Sequence, residues 1–187
     1  LAAAGELARR HGLAYHLDGA RLYNAAVACG VPAREIIRHF DSVSVCLSKG
    51  LGAPVGSVLA GSKALVDTAR RWRKVLGGGW RQAGLLAAMG QHALDHHVAR
   101  LADDHRRAAE LAAALRAVPG LVVEGAFTNI LFVTVPDGRQ GELAKHLESQ
   151  GVRIAAGRGP RIRLVTHLDI DDAGIERTLA AFRSFFA

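Results

Sequence analysis

Asp18, closing the run AYHLDGA, and Lys49, in SVCLSKGLGAP, are the residues of this sequence best placed to do chemistry. Each ends a short apolar run that reads as a β-strand, and each leads into a glycine turn. Their separation is the length of one strand–helix–strand unit. Both can therefore stand at the carboxyl ends of neighbouring strands, where open α/β sheets bind ligands. A lysine at the end of a buried strand is costly unless it is paired or deprotonated. A desolvated amine attacks carbonyl groups to form a Schiff base. An acid and a buried lysine in one cleft thus point to carbonyl chemistry.

Two versions of that chemistry fit the pair. In one, Lys49 reacts with the substrate directly, as in a cofactor-free class I aldolase. In the other, it holds pyridoxal phosphate, Asp18 keeps the pyridine nitrogen protonated, and Arg21 hydrogen-bonds the phenolate oxygen. Residue type and spacing leave both open. A plainer reading makes Asp18 a helix N-cap, Arg21 a surface residue and Lys49 an exposed loop lysine.

Other groups carry weaker signals. The glycine run at Gly77, Gly78 and Gly79 precedes a helical stretch and could form an anion-binding nest or a plain hinge. Arg163 lies in the alternating run IRLVTH, where an ordinary edge-strand charge is the plain alternative. His92 and His96 have one-turn spacing but no glutamate-flanked HExxH pattern, so a solvated helix face is expected and no metal site. His167 follows the Arg163 run, with a role in orienting Arg163 or a loop. Cys46 lies in a buried run and reads as a small inert hydrophobe.

The elements that must position these residues follow from punctuation and periodicity. A helix over residues 1–10 ends at Gly12, a strand spans 13–17, and a helix runs from 20 to 29 before Gly30 and Pro32. A short helix to His39, strands at 42–48 and 55–60, and a helix from 61 to about 76 come next. An alanine-rich helical stretch from 80 to about 118 is interrupted near His96 and His97, and Pro119-Gly120 ends it. Strands at 121–124, 128–135, 152–155 and 161–165, with helices at 140–150 and 171–186, complete the chain. This is an α/β layered arrangement, with a smaller α+β unit in the last part.

Composition narrows the function classes. The 187 residues are 50% hydrophobic and 22% charged, which is globular and neither disordered nor fibrous. Two cysteines make no disulfide framework, so a reducing, cytoplasmic setting is expected. No apolar run approaches a membrane span, and residues 1–12 lack the apolar stretch of a signal peptide. The net charge of +7 does not imply nucleic acid as partner. Arg70, Arg71, Arg73 and Lys74 interleave with Val66, Trp72 and Val75 as one face of an amphipathic helix. Arg158, Arg161 and Arg163 form a second cluster, and no nucleic-acid motif accompanies either.

The runs HLDGARLYNAA, SVSVCLSKGLGAPVGSVLAGS and RRWRKVLGGGWRQAG, with the late RIRLVTHLD, closely resemble the low-specificity L-threonine aldolases. The resemblance spans essentially the whole chain and implies the aspartate-aminotransferase-like architecture of fold-type I pyridoxal-phosphate enzymes. It implies that residues 1–100 are the C-terminal part of the cofactor-binding large domain and 101–187 a small α+β domain. Lys49 is then similar to the Schiff-base lysine and Asp18 to the pyridinium partner, with Arg21 on the phenolate side. Arg81 and Lys74 match basic residues near the cofactor phosphate, and Arg163 matches the arginine that grips the substrate α-carboxylate.

The implied reaction splits a β-hydroxy-α-amino acid, threonine or allo-threonine, into glycine and acetaldehyde. The implied assembly is a homodimer or homotetramer. Family chains are about twice as long, and their N-terminal half supplies a phosphate loop and a ring-stacking histidine. None of the nine histidines here sits in a matching motif, and no initiator Met precedes Leu1. The expectation is half a site, on a chain that opens mid-protein and is inactive alone. The alternatives are another fold-type I lyase, one that β-eliminates, or a non-catalytic remnant.

Overall fold

The computed structural model describes residues 1–155, 157 and 159–187. Arg158, counted above in the second basic cluster, lies outside the described residues. The chain divides into two compact units, Leu1–Ala99 and Arg100–Ala187.

In the first unit, α1 (Ala2–Arg10), β1 (His16–Asp18), α2 (Leu22–Cys29), α3 (Ala33–Ile37) and β2 (Ser42–Cys46) lead to β3 (Ser57–Gly61), α4 (Lys63–Val75) and α5 (Gly84–His96). The helical crossover through α2 and α3 lets β1 and β2 run parallel, with Leu17 opposite Val43 and Asp18 opposite Ser44. β3 returns antiparallel on the other side of β2, Cys46 facing Ser57. Gly30, left-handed at φ 64°, closes α2, and Ser62 caps α4 by accepting from the Leu65 N–H at 3.3 Å. α4 is amphipathic, as its sequence implies, yet no residue of it is buried; Leu65 and Trp72 line an open groove with Leu59 and His16.

In the second unit, α6 (Leu101–Arg116), β4 (Val122–Gly125), β5 (Ile130–Thr134), a 3-10 turn at Pro136–Gly138, α7 (Gln140–Ser149), β6 (Arg161–Val165) and α8 (Asp172–Phe186) follow in order. Its sheet is antiparallel, β4-β5-β6. Alternation sends Leu131, Val133, Ile162 and Leu164 to one face, where they share a core with Leu111 and Leu115 of α6, Leu143 and Leu147 of α7 and Phe182 of α8. The other face carries Glu124, Phe132, Arg161 and Arg163. The expected interruption near His96 is real: α5 ends there and α6 begins at Leu101.

The strand expected at 152–155 does not form. Val152 instead donates its N–H to the Leu147 carbonyl at 2.8 Å, and Val152 and Ile154 lie against the core without a ladder partner. Alternating apolar residues serve such a docked coil as well as a strand. The strand expected at 13–17 starts only at His16, and the helix expected from Ala20 starts at Leu22.

Candidate active site

The first unit brings Asp18 and Lys49 to the same end of two adjacent parallel strands. Asp18 is the last residue of β1, and Lys49 lies in the turn that leaves β2. Gly19 makes the close approach: its N–H donates to the Ser44 carbonyl at 2.8 Å. A Cβ at Gly19 would lie 2.9 Å from both that oxygen and Val43 Cγ2. Asp18 Oδ1 accepts from the Ala20 N–H at 3.2 Å, while α2 takes Arg21 as its N-cap without a side-chain cap. Asp18 therefore folds a local turn and is not the cap of α2, against the plain reading. Its carboxylate stands exposed.

The Lys49 turn is held from below. Leu47 donates to Gly56, Ala53 to Leu47 and Gly52 to Lys49 through their backbones, at 2.9–3.0 Å. Leu47, Gly50, Leu51 and Ala53 are buried. His97 Nδ1 donates to the Leu51 carbonyl at 2.6 Å, and α5 reaches Leu47 through Gly90, where a Cβ would lie 2.8 Å from Leu47 Cδ1. Lys49 itself is exposed, which corrects the expectation of a buried lysine. Strand apolarity buries the residues before and after it, while the turn aims its long side chain outward. Arg21, half-buried, shares a small space with Cys46, Gly50 and Leu51, so the turns after β1 and β2 meet.

Cys46, expected inside a buried strand, is half-buried. Burial alone would push its thiol up. Hydrogen bonds from Ser48, whose Oγ is 3.4 Å away, and from Ser57, with the charge of Lys49, hold it below the ordinary thiol value.

Lys74 and Arg81, both exposed, flank the glycine run. Gly77, at φ 87°, donates to the Lys74 carbonyl at 3.1 Å and Gly78 to the Arg73 carbonyl at 2.7 Å, the paired bonds of a Schellman helix end. Those two N–H groups are committed to α4, and α5 starts only at Gly84, so of the two alternatives for this run they do not form the anion nest. Gly79 does make room for a cation: a Cβ there would lie 2.8 Å from Lys74 Cδ and 3.1 Å from its Nζ. The rings of His92 and His96 lie tilted against each other, centroids 4.4 Å apart. Among the described residues no three of His, Cys, Asp and Glu are grouped to hold a metal ion.

Arg163 belongs to the second unit, on the exposed face of β6. It lines a groove of about 680 Å³ with Arg161, Arg153, Arg177, His167 and Asp169. Among the described residues its guanidinium has no hydrogen-bond or ion-pair partner. His167 makes no hydrogen bond to it; its Nδ1 accepts instead from the Asp169 N–H at 3.3 Å. Sequence reasoning missed Phe132, the cross-strand neighbour of Arg163, and Glu124, which lies one strand further along the same row. Alternation assigns them a face, but only the register sets them in its row.

The fold and these residues define an α/β protein with an amine and a carboxylate at the carboxyl ends of neighbouring parallel strands. The chain belongs to the beta-eliminating lyase family, whose model matches residues 1–137. It is 49% identical over 187 residues to a probable low-specificity L-threonine aldolase of Arabidopsis thaliana, covering 97% of this chain and 53% of that one. It is 46% identical over 184 residues to the low specificity L-threonine aldolase of Escherichia coli K12, covering 98% and 54%. The chain thus spans about half the length of the curated relatives it matches. Among solved structures, a putative aromatic amino acid beta-eliminating lyase/threonine aldolase from Exiguobacterium matches at TM-score 0.79 and 25% identity, over 96% of this chain and 56% of that one. A putative L-allo-threonine aldolase from Listeria monocytogenes shares the fold at TM-score 0.81 and 23% identity, over 96% and 54%. Among the described residues no helix is long and apolar enough to cross a membrane.

Proposed function

We propose that this chain is part of a pyridoxal-phosphate-dependent carbon–carbon lyase that splits β-hydroxy-α-amino acids, threonine and allo-threonine, into glycine and an aldehyde. The observation that carries the reading is the placement of Asp18 and Lys49 at adjacent carboxyl ends of β1 and β2. The cofactor, when bound, accepts the electron pair left on Cα as the Cα–Cβ bond breaks.

Lys49 offers a primary amine, exposed on a firmly held turn, as the covalent attachment point for the cofactor aldehyde. Asp18 offers a carboxylate to hold a proton on the ring nitrogen. Arg21, whose turn meets the Lys49 turn, offers a donor to the ring oxygen. Lys74 and Arg81 offer positive charge to the phosphate. Arg163 binds the substrate α-carboxylate, and by fixing it selects which bond at Cα is aligned to break. The protein would form glycine in the cytoplasm as a homodimer or homotetramer.

The experiment is borohydride reduction with pyridoxal phosphate, followed by peptide mapping. Label on the Lys49 peptide is expected, and label confined to Lys63 or Lys74 would overturn the assignment. The family description favours one second reading, β-elimination, which products separate: acetaldehyde and glycine for the cleavage, a keto acid and ammonia for elimination.

A further inference from the structure

On the outer face of the second sheet, Glu124, Phe132 and Arg163 stand in one cross-strand row. Arg161 belongs to the next row, opposite Thr134. Arg163 therefore starts nearer to Glu124 than Arg161 does, at two strand spacings, about 10 Å. The pair that forms is nevertheless the diagonal one. Arg161 reaches over Phe132, its guanidinium 3.9 Å from the ring centroid, and donates to Glu124 Oε2 at 2.7 Å. Arg163 keeps no partner among the described residues. The ring face favours a flat guanidinium lying on it, which selects the longer reach.

We propose that Arg161, seated on Phe132, is a positioning residue that occupies the Glu124 carboxylate and so keeps Arg163 open for the substrate carboxylate. This rests on the reading of Arg163 given above. An arginine facing an unoccupied acid in its own row would otherwise pair with it, and a substrate would first have to displace that acid. The device acts on binding and not on bond cleavage.

The test uses the 187-residue chain, with the Arg163 side-chain Nε–H signal followed by NMR and assigned by its loss in Arg163→Lys. In Arg161→Met that signal is expected to shift and to exchange more slowly with water, as Glu124 captures Arg163. In Arg161→Met/Glu124→Gln it should return to the wild-type position. Arg161→Lys, which keeps the charge, should leave it unmoved. An unmoved signal in Arg161→Met, or a shift that persists in the double variant, overturns the proposal. In the cofactor-loaded active protein, Arg161→Met should raise KM for threonine about three- to tenfold at unchanged kcat. Adding Glu124→Gln should restore it. Capture seen by NMR without a KM change would overturn the carboxylate role of Arg163 and leave the pairing intact.

Discussion

Arg163 and Lys49 both carry charged side chains with no ion-pair partner among the described residues, and each predicts something different. For Arg163, a guanidinium with no partner among the described residues stands in a groove that Arg153, Arg161 and Arg177 also line, an arrangement suited to an anion. Its planar fork makes two parallel bonds to a carboxylate that an ammonium cannot copy. Arg163→Lys should weaken amino-acid substrates about ten- to a hundredfold, with attachment of pyridoxal phosphate at Lys49 unchanged. Wild-type KM in that variant would remove Arg163 from the site. Lys49 owes its position to its buried neighbours rather than to its own burial, so its reactivity should depend on the turn. The trapping experiment above therefore reads the Leu47–Ala53 framework as much as the lysine.

At the scale of elements, two contacts decide where charges stand. The β1–α2 turn passes so close to β2 that Gly19 has no room for a side chain. Gly19→Ala must move either β2 or the Asp18 turn, and should lower stability by about 1–3 kcal/mol. Urea unfolding measures it, and an unchanged midpoint would show that the turn relaxes freely. In the second unit, the N-terminal turn of α8 is tied to α6 through Asp172, which accepts from Arg106 at 2.8 Å and Arg107 at 2.7 Å. Hydrogen bonds from Arg106 and Arg107 hold the Asp172 carboxyl below its ordinary value of 3.8. A depressed folded-state pKa stabilises the protein above the unfolded value, and that contribution disappears as pH falls through the folded one. The wild type should therefore exceed Asp172→Asn in stability at neutral pH, with the difference closing below about pH 4. A difference independent of pH would show that packing, not charge, joins these helices.

The whole molecule is uneven. Its continuous core, centred on Leu131, Val133, Ile162 and Phe182, lies in the second unit. The first unit buries a few scattered residues such as Leu22, Val43, Leu47 and Ala93, while every residue of β3 is exposed. Local opening is governed by buried apolar contact. Amides of β5 and β6 should exchange with solvent slowest, and those of β3 and α4 by orders of magnitude faster. Equal protection of β3 and β5 would show that the first sheet is stabilised by something other than its own core. The groove along Leu59, Leu65 and Trp72 belongs to this thinly covered side.

Much of this was legible in the chain because its causes are local. Gly30 and Ser62 end and begin helices through bonds made within a few residues, and Asp171 caps α8 by accepting from Gly174 N–H at 2.7 Å. The alternation of β6 follows from the period of a strand, and the Asp18 and Lys49 turns from strand ends meeting glycines. What the sequence by itself determined is therefore most of the order of elements and those ends, such as Gly30 and Ser62, that close through local bonds. Tertiary structure decided the rest, since it depends on partners far along the chain. It turned Lys49 outward on a buried frame and committed the Gly77 and Gly78 N–H groups to α4. It docked 152–155 without a ladder. It set the register that lines Glu124, Phe132 and Arg163 across three strands. A period of two assigns a face to each residue but no neighbour across the sheet, and the pairing of Arg161 with Glu124 follows only once the strands are aligned.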